Sequence, residues 1–177
     1  VTRQEAAAVP YASMGVRLGD SSEVLAVLTN DAPHARLWIA GKQLAVETDG
    51  GRIVRTSGFA NNLAGVSGDR GAPVPPVKGR HQGGERTLLY DFADLNAYSV
   101  KVVCRTVEGG PESIKILGRI IPTRRMDENC RAGVLDWSFT NIYWVGIKDG
   151  MVWRSIQFVH PRLDPVTTEI LRPPEAR

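Results

Sequence analysis

The chain is poor in the residues that most often do chemistry. It has three histidines and two cysteines in 177 residues. His34, His81 and His160 are far apart in sequence, and no CxxC or Cys/His cluster accompanies them, so no metal or cofactor is expected. There is no nucleophile elbow. The glycines at 65, 68 and 71 do not make a phosphate-cradling loop, and Gly83-Gly84 has no helix after it. No run of about 18 apolar residues could cross a membrane as a helix. The chain also lacks a strong charge of one sign. Its net charge is +3, with basic residues scattered from Arg17 to Arg119 and the densest pair, Arg124-Arg125, followed at once by Asp127 and Glu128. A nucleic-acid footprint would be a single-signed stripe interleaved with aromatics. We therefore expect a mixed-charge surface and no nucleic-acid partner. Asp91, Asp94 and Asp136 are the only carboxylates singled out for acid/base work, and spacing of this kind is common without catalysis. No catalytic residue is assigned.

What is present is β-sheet pattern. Hydrophobic residues make up 42% of the chain, ordinary for a globular fold, and the length suits one domain over 1–177. Thr2-Arg3-Gln4-Glu5 fits a capping box, so residues 1–9 read as a short helix or tail, ended by Pro10. Short runs of alternating or β-branched residues follow at 12–18, 23–29, 35–39, 43–47 and 52–56, separated by Gly, Asp, Asn and Pro turns. After a Gly/Pro-rich stretch at 67–84, read as a long mobile loop, strands resume at 85–92, 98–107 and 113–121. Glu108-Gly109-Gly110-Pro111 joins the last two. Met126-Asp127-Glu128-Asn129 reads as a polar turn before Cys130. Further strands at 134–139, 142–159 and 166–171 give roughly a dozen. The fold class is all-β and mainly antiparallel: a curved meander sheet forming a barrel, half-barrel or sandwich.

The segment from Trp137 to Gln157 holds three of the four tryptophans and an Asp149-Gly150 turn between two aromatic, β-branched runs. Asp-Gly in that setting predicts a tight hairpin with positive φ at both central residues. The hairpin is either the centre of the core or the floor of a binding surface. Its candidate glycan- or partner-binding residues are Trp137, Asn141, Tyr143, Trp144, Trp153, Arg154 and Gln157. Indole faces stack on the apolar faces of pyranose rings, but large aromatics are also heavily buried in β proteins. Cys104 lies on the inward Val100, Val102, Cys104 face of a strand. Spacing leaves open whether it pairs with Cys130 or both are free buried thiols.

Taken together, several segments resemble one family. They are Pro10-Tyr11-Ala12-Ser13 with Arg17-Leu18-Gly19, the run from Gly51 to Gly58, and Glu128-Asn129-Cys130. To these add Trp137 to Val145, Val152-Trp153-Arg154-Ser155-Ile156-Gln157 and Ile170-Leu171-Arg172-Pro173. In this order they resemble the GfcB/YjbF family of group 4 capsule and exopolysaccharide-associated lipoproteins. The resemblance implies a curved antiparallel β-structure and a periplasmic protein, outer-membrane anchored in its precursor. It also implies a Cys104–Cys130 disulfide formed in that oxidising compartment. The family's lipid-bearing cysteine is absent from these residues, so membrane association would run only through an anchor they do not include. Gly146 stands where the family pattern leads us to expect an acidic residue. The implied role is a non-enzymatic accessory of polysaccharide secretion that binds glycan or docks on an outer-membrane export component. The alternatives are a polysaccharide-modifying enzyme, or a carrier of a lipid-like ligand in a β half-barrel.

Overall fold

A computed structural model of the chain describes residues 1–77 and 84–175. Helix α1 (Arg3–Ala8) opens with the expected capping box. Thr2 Oγ1 accepts from Glu5 N at 3.1 Å, and Glu5 Oε2 accepts from Thr2 N at 2.6 Å. Twelve strands follow: β1 (Ser13–Leu18), β2 (Val24–Ala32), β3 (Ala35–Ala40), β4 (Leu44–Asp49), β5 (Arg52–Ser57), β6 (Gly65–Ser67), β7 (Gly84–Phe92), β8 (Ala97–Ile116), β9 (Arg119–Ala132), β10 (Trp137–Gly146), β11 (Val152–Gln157) and β12 (Val166–Arg172).

All twelve lie in one antiparallel sheet in the order β5-β4-β3-β2-β1-β12-β11-β10-β9-β8-β7-β6. Pairing of β1 with β12 joins the first and last strands, and leaves β5 and β6 as the two edges. Those edges meet. Thr56 N donates to Leu63 O and Leu63 N to Thr56 Oγ1, both at 2.9 Å, and Arg55 Nε donates to Ala64 O at 3.3 Å. The sheet is therefore a nearly closed barrel rather than a sandwich, and its edges satisfy each other instead of facing water. The interior is filled by alternating inward side chains, among them Phe92, Val102, Met126, Tyr143 and Val166, each 2% exposed or less.

Among the local expectations that fail, two concern the hairpin connections. Glu108-Gly109-Gly110-Pro111 is not a hairpin turn. β8 runs through it with a register shift between Glu108 and Pro111, where proline's missing N–H is tolerated. The chain reverses instead at Leu117-Gly118, with φ of 47° and 80°, the positive pair of a two-residue hairpin turn. Conversely, Asp149-Gly150 does join β10 to β11, but only Gly150 has positive φ. Gly146 N donates to Met151 O, and Gly150 N to Gly146 O, so the loop is longer than two residues.

The stretch expected to be a mobile loop is pinned over its described part. Ser67 ends β6. Val74 N donates to Asp49 Oδ2 and Val74 O accepts from Arg52 Nε, both at 2.6 Å, while Arg86 Nη1 donates to Pro75 O at 2.8 Å. Residues 78–83, including His81, lie outside the described residues.

β8 and β9 extend beyond their neighbours, since β7 pairs with β8 only up to Thr106 and β10 with β9 only up to Thr123. Three arginines tie the free tip back. Arg3 Nη2 donates to Leu117 O, Arg154 Nη2 to Lys115 O, and Arg119 Nη2 to Leu171 O, at 2.7, 2.9 and 3.2 Å.

Cys104 and Cys130 are register partners on β8 and β9 and form a disulfide, closing a separation of 26 residues. Converting both to alanine should cost about 3–4 kcal/mol in the chain-entropy model. Urea unfolding of the oxidised protein, the reduced protein and the double variant would show it as a lower midpoint, with a somewhat steeper slope because the uncrosslinked unfolded chain exposes more surface.

Candidate functional site

Arg52 begins β5 and Glu128 sits in the middle of β9. These strands are far apart in the sheet, so their contact crosses the barrel interior. The guanidinium and carboxylate meet side by side, Nη1–Oε1 at 2.7 Å and Nη2–Oε2 at 2.6 Å, and both side chains are 1% exposed. Their surroundings complete the hydrogen bonding. Asn141 Nδ2 donates to Glu128 Oε1 at 3.2 Å. Tyr143 Oη lies 3.5 Å from the same oxygen and 3.3 Å from Gln157 Oε1. Gln157 Oε1 accepts from Ile53 N at 2.8 Å, and its Nε2 donates to Gly51 O at 2.8 Å and Ser155 Oγ at 2.7 Å. Burial alone would raise the Glu128 carboxyl, but the Arg52 charge and hydrogen bonds outweigh it and hold the group below its ordinary value. Burial pushes the Tyr90 hydroxyl up to about 12 and raises Tyr143 well above the ordinary phenol value, so both stay neutral.

This network bears on the sequence candidates directly. Asn141, Tyr143 and Gln157, anticipated on a binding surface, are 1%, 0% and 2% exposed and face the interior. Trp137 is half-buried in an aromatic cluster, 4.2 Å centroid to centroid from Phe139 and 6.0 Å from Phe92. Trp144 faces the outside of the barrel, yet it is buried between the guanidinium groups of Arg125 and Arg154, 5.8 and 5.7 Å from its ring. Its indole N–H has no partner among the described residues. Arg154 is committed to Glu169, with Nε–Oε2 at 2.6 Å.

Trp153 is as enclosed as Trp144, at 8% exposed, but differs in reaching a cavity. The register shift between Trp144 and Val145 makes it the extra residue of a bulge, which turns its ring toward the barrel end. There it lines an open cavity of about 500 Å³ with Gly50, Gly51, Met151, Ile170 and Pro173, and with Arg36, Asp149 and Glu175 supplying charge. Trp153 Nε1 donates to Asp149 Oδ2 at 3.1 Å, and Arg119 stacks over the ring at 5.6 Å. Two glycines permit this packing. At Gly51, φ is 99° and a Cβ would come within 2.5 Å of Val152. At Gly146 a Cβ would collide with the Asp149 carboxylate and the Trp153 indole. The expected acidic side chain is absent at 146, and the Asp149 carboxylate occupies the space beside Gly146.

The carboxylates weighed for catalysis do not converge into a competent pair. Asp91 Oδ1 accepts from Ser99 N at 2.7 Å, and Asp136 is a solvent-facing partner of Arg131 at 3.4 Å. Asp94 binds Asn61 at 2.9 Å and His160 Nε2 at 3.0 Å. The other ring nitrogen of His160 accepts from Arg162 N at 3.0 Å, so neither nitrogen is available as a base.

Arg52 and Glu128 were missed from sequence because 126–129 reads as a turn. The usable signal was alternation: Met126, Glu128 and Cys130 share one face of a strand.

A family model described as group 4 capsule polysaccharide lipoprotein gfcB, YjbF matches residues 1–171. The chain belongs to this family. It is 24% identical to the uncharacterized lipoprotein GfcB of Escherichia coli K12 over 174 residues, 98% of this chain and 81% of that one. It is 22% identical to the uncharacterized lipoprotein YjbF of the same organism over 165 residues, 93% and 76% of the two chains. The crystal structure of the hypothetical lipoprotein YmcC, also from Escherichia coli K12, superposes with a TM-score of 0.85 at 23% identity, covering 99% of this chain and 91% of that one. Members of the GfcB/YjbF family are thus lipoproteins of a capsule polysaccharide system, which is consistent with a cell-envelope setting, and the likeness to YmcC supports the barrel fold.

Replacing one member of the buried pair, by Arg52→Met or Glu128→Gln, should cost about 3–5 kcal/mol, because the remaining group is stranded. The folded-state carboxyl lies below its reference value of 4.5. Its contribution is therefore complete above about pH 4.5 and lost as pH falls through the lower folded value. Thermal melts across that range should show a drop in the native chain that is smaller in Glu128→Gln.

Proposed function

We propose that the chain is a non-enzymatic accessory of capsule or exopolysaccharide secretion. It works on the periplasmic side of the outer membrane by holding a segment of the polysaccharide in the cavity beside Trp153. The observation that carries this reading is the cavity itself. Its volume of about 500 Å³ is within the range of ligand sites. Its wall combines an indole, a methionine and a proline with an arginine and two carboxylates, the mixture that suits a ring apolar on its faces and hydroxylated at its rim.

The alternatives are less well supported. A lipid-like ligand needs a dry, apolar interior, whereas the centre of this barrel holds the Arg52–Glu128 pair and its hydrogen-bonded neighbours. A polysaccharide-modifying enzyme needs two free carboxylates across a cleft, and Asp91, Asp94 and Asp136 are engaged elsewhere or fully exposed. Docking on an export component remains the second reading, and the same experiment separates it.

Oligosaccharides cut from the source bacterium's secreted polysaccharide should quench or blue-shift tryptophan fluorescence saturably. Trp153→Leu should weaken binding roughly two- to tenfold, the scale of one aromatic contact of 0.5–1.5 kcal/mol. Trp153→Phe, checked for an unchanged melt, should lose less. No fluorescence change and no heat of binding at millimolar sugar would reject glycan binding and leave docking as the function.

A further inference from the structure

Beside the main cavity lies a smaller one of about 270 Å³, between α1, the β8–β9 tip and the end of β12. Its walls are Ala6, Leu171 and Pro173 together with three arginines, Arg3, Arg119 and Arg172. No acidic residue lines it. None of the three arginines forms an ion pair among the described residues, whereas other arginines do, as in Arg36–Asp31, Arg125–Asp127 and Arg154–Glu169. Two of the guanidinium groups are held in place by neutral acceptors. Arg3 gives Nε and Nη2 to Leu117 O at 3.0 and 2.7 Å, and Arg119 gives Nη2 to Leu171 O at 3.2 Å. A backbone carbonyl orients a guanidinium without cancelling its charge. The Arg172 side chain makes no hydrogen bond among the described residues, which leaves its full fork free. Three positive charges thus surround one recess, and two of them are pre-oriented. No carboxylate among the described residues pairs with them.

The recess adjoins the proposed glycan site. Both cavities share Pro173, and Arg119, which lines the smaller one, stacks on Trp153, which lines the larger. We propose that the basic cavity is a second subsite for the same polysaccharide, and that it receives an acidic substituent, a carboxylate or a phosphate carried on the sugar. The ligand is then an anionic polysaccharide: sugar rings lie against the Trp153 side, and the anion is gripped by Arg172 with Arg3 and Arg119 behind it. Guanidinium groups match the planar oxygens of both anions. A recess that holds one group suits a substituent on a chain better than a flat array of lipid headgroups. This inference rests on the glycan reading of the larger cavity.

Calorimetric titration with four preparations tests it: native oligosaccharides from the source bacterium's secreted polysaccharide, the same after carboxyl reduction, the same after dephosphorylation, and phosphatidylglycerol vesicles. Native fragments should bind, more weakly as salt is raised. Either carboxyl reduction or dephosphorylation should weaken binding by about tenfold or more, identifying the anion, as expected for loss of a charge-assisted hydrogen bond. The Arg172 side chain makes no hydrogen bond or ion pair among the described residues, so Arg172→Gln leaves the fold's polar contacts in place. It should cost about the same factor on native fragments and almost nothing on the neutralised ones, with an unchanged melt. Equal binding of native and neutralised fragments overturns the anion subsite and leaves the glycan reading intact. A polysaccharide that contains no acidic group overturns it as well. Absence of binding to every oligosaccharide overturns the glycan reading itself. Arg172-dependent binding to vesicles would then assign the recess to phospholipid.

Discussion

The buried Arg52–Glu128 pair is the contact on which the interior of this barrel depends. Taking two charges out of water is costly. The pair persists because the contact is two-pronged, and because Asn141, Tyr143 and Gln157 occupy the polar valences around it. The geometry also does something that apolar packing does less well. A two-pronged contact between strands on opposite walls has one distance and one orientation, so it sets how far apart those walls stand. The Gln157 amide repeats the effect nearby, joining β11 to Ile53 N and Gly51 O.

From that cross-brace the architecture of one barrel end follows. Arg52 and Asp49 together clamp the backbone of Val74, which holds the chain after β6 against the barrel. Gly51 brings the β4–β5 turn onto Val152, and the bulge at Trp153 places an indole beside it. The long β8–β9 tip, tied down through Arg3, Arg119 and Arg154, lines the smaller cavity with Leu117 and Arg119. The opposite end closes differently, with an aromatic cluster and the His160–Asp94 contact. Ligand-sized space and uncompensated charge therefore collect at the same end, the one built from turns, a bulge and a folded-back hairpin rather than from regular ladder.

Much of the fold was legible in the chain. Alternation and turn residues placed the strands of the first half within a few residues of their observed ends. The capping box located α1, and Pro173-Pro174 marked the end of β12. The failures share a cause, which is that local turn chemistry is ambiguous without knowledge of pairing. Gly109-Gly110-Pro111 looks like a turn and is a bulge, because β9 continues alongside it. Leu117-Gly118 has no strong turn signature and is the reversal. Met126 to Asn129 looks like a polar loop and is the middle of a strand, because the one buried carboxylate in it has an arginine across the barrel.

The candidate site was less legible than the fold, for the same reason. Sequence selected the hairpin from Trp137 to Gln157 as the informative segment, and its polar residues do come together. However, Asn141, Tyr143 and Gln157 converge around a salt bridge inside the barrel, and only Trp153 reaches a cavity. The sequence by itself determined strand periodicity, the all-β class and the family resemblance, because each of these is a property of neighbouring residues or of their order. Tertiary structure alone decided which of two alternating faces is enclosed, which arginine meets Glu128, and which three arginines are left unpaired around a recess. Those outcomes depend on contacts between distant residues, such as Gln157 with Gly51, 106 positions apart, and Arg3 with Leu117, 114 positions apart, and no local pattern encodes such distances.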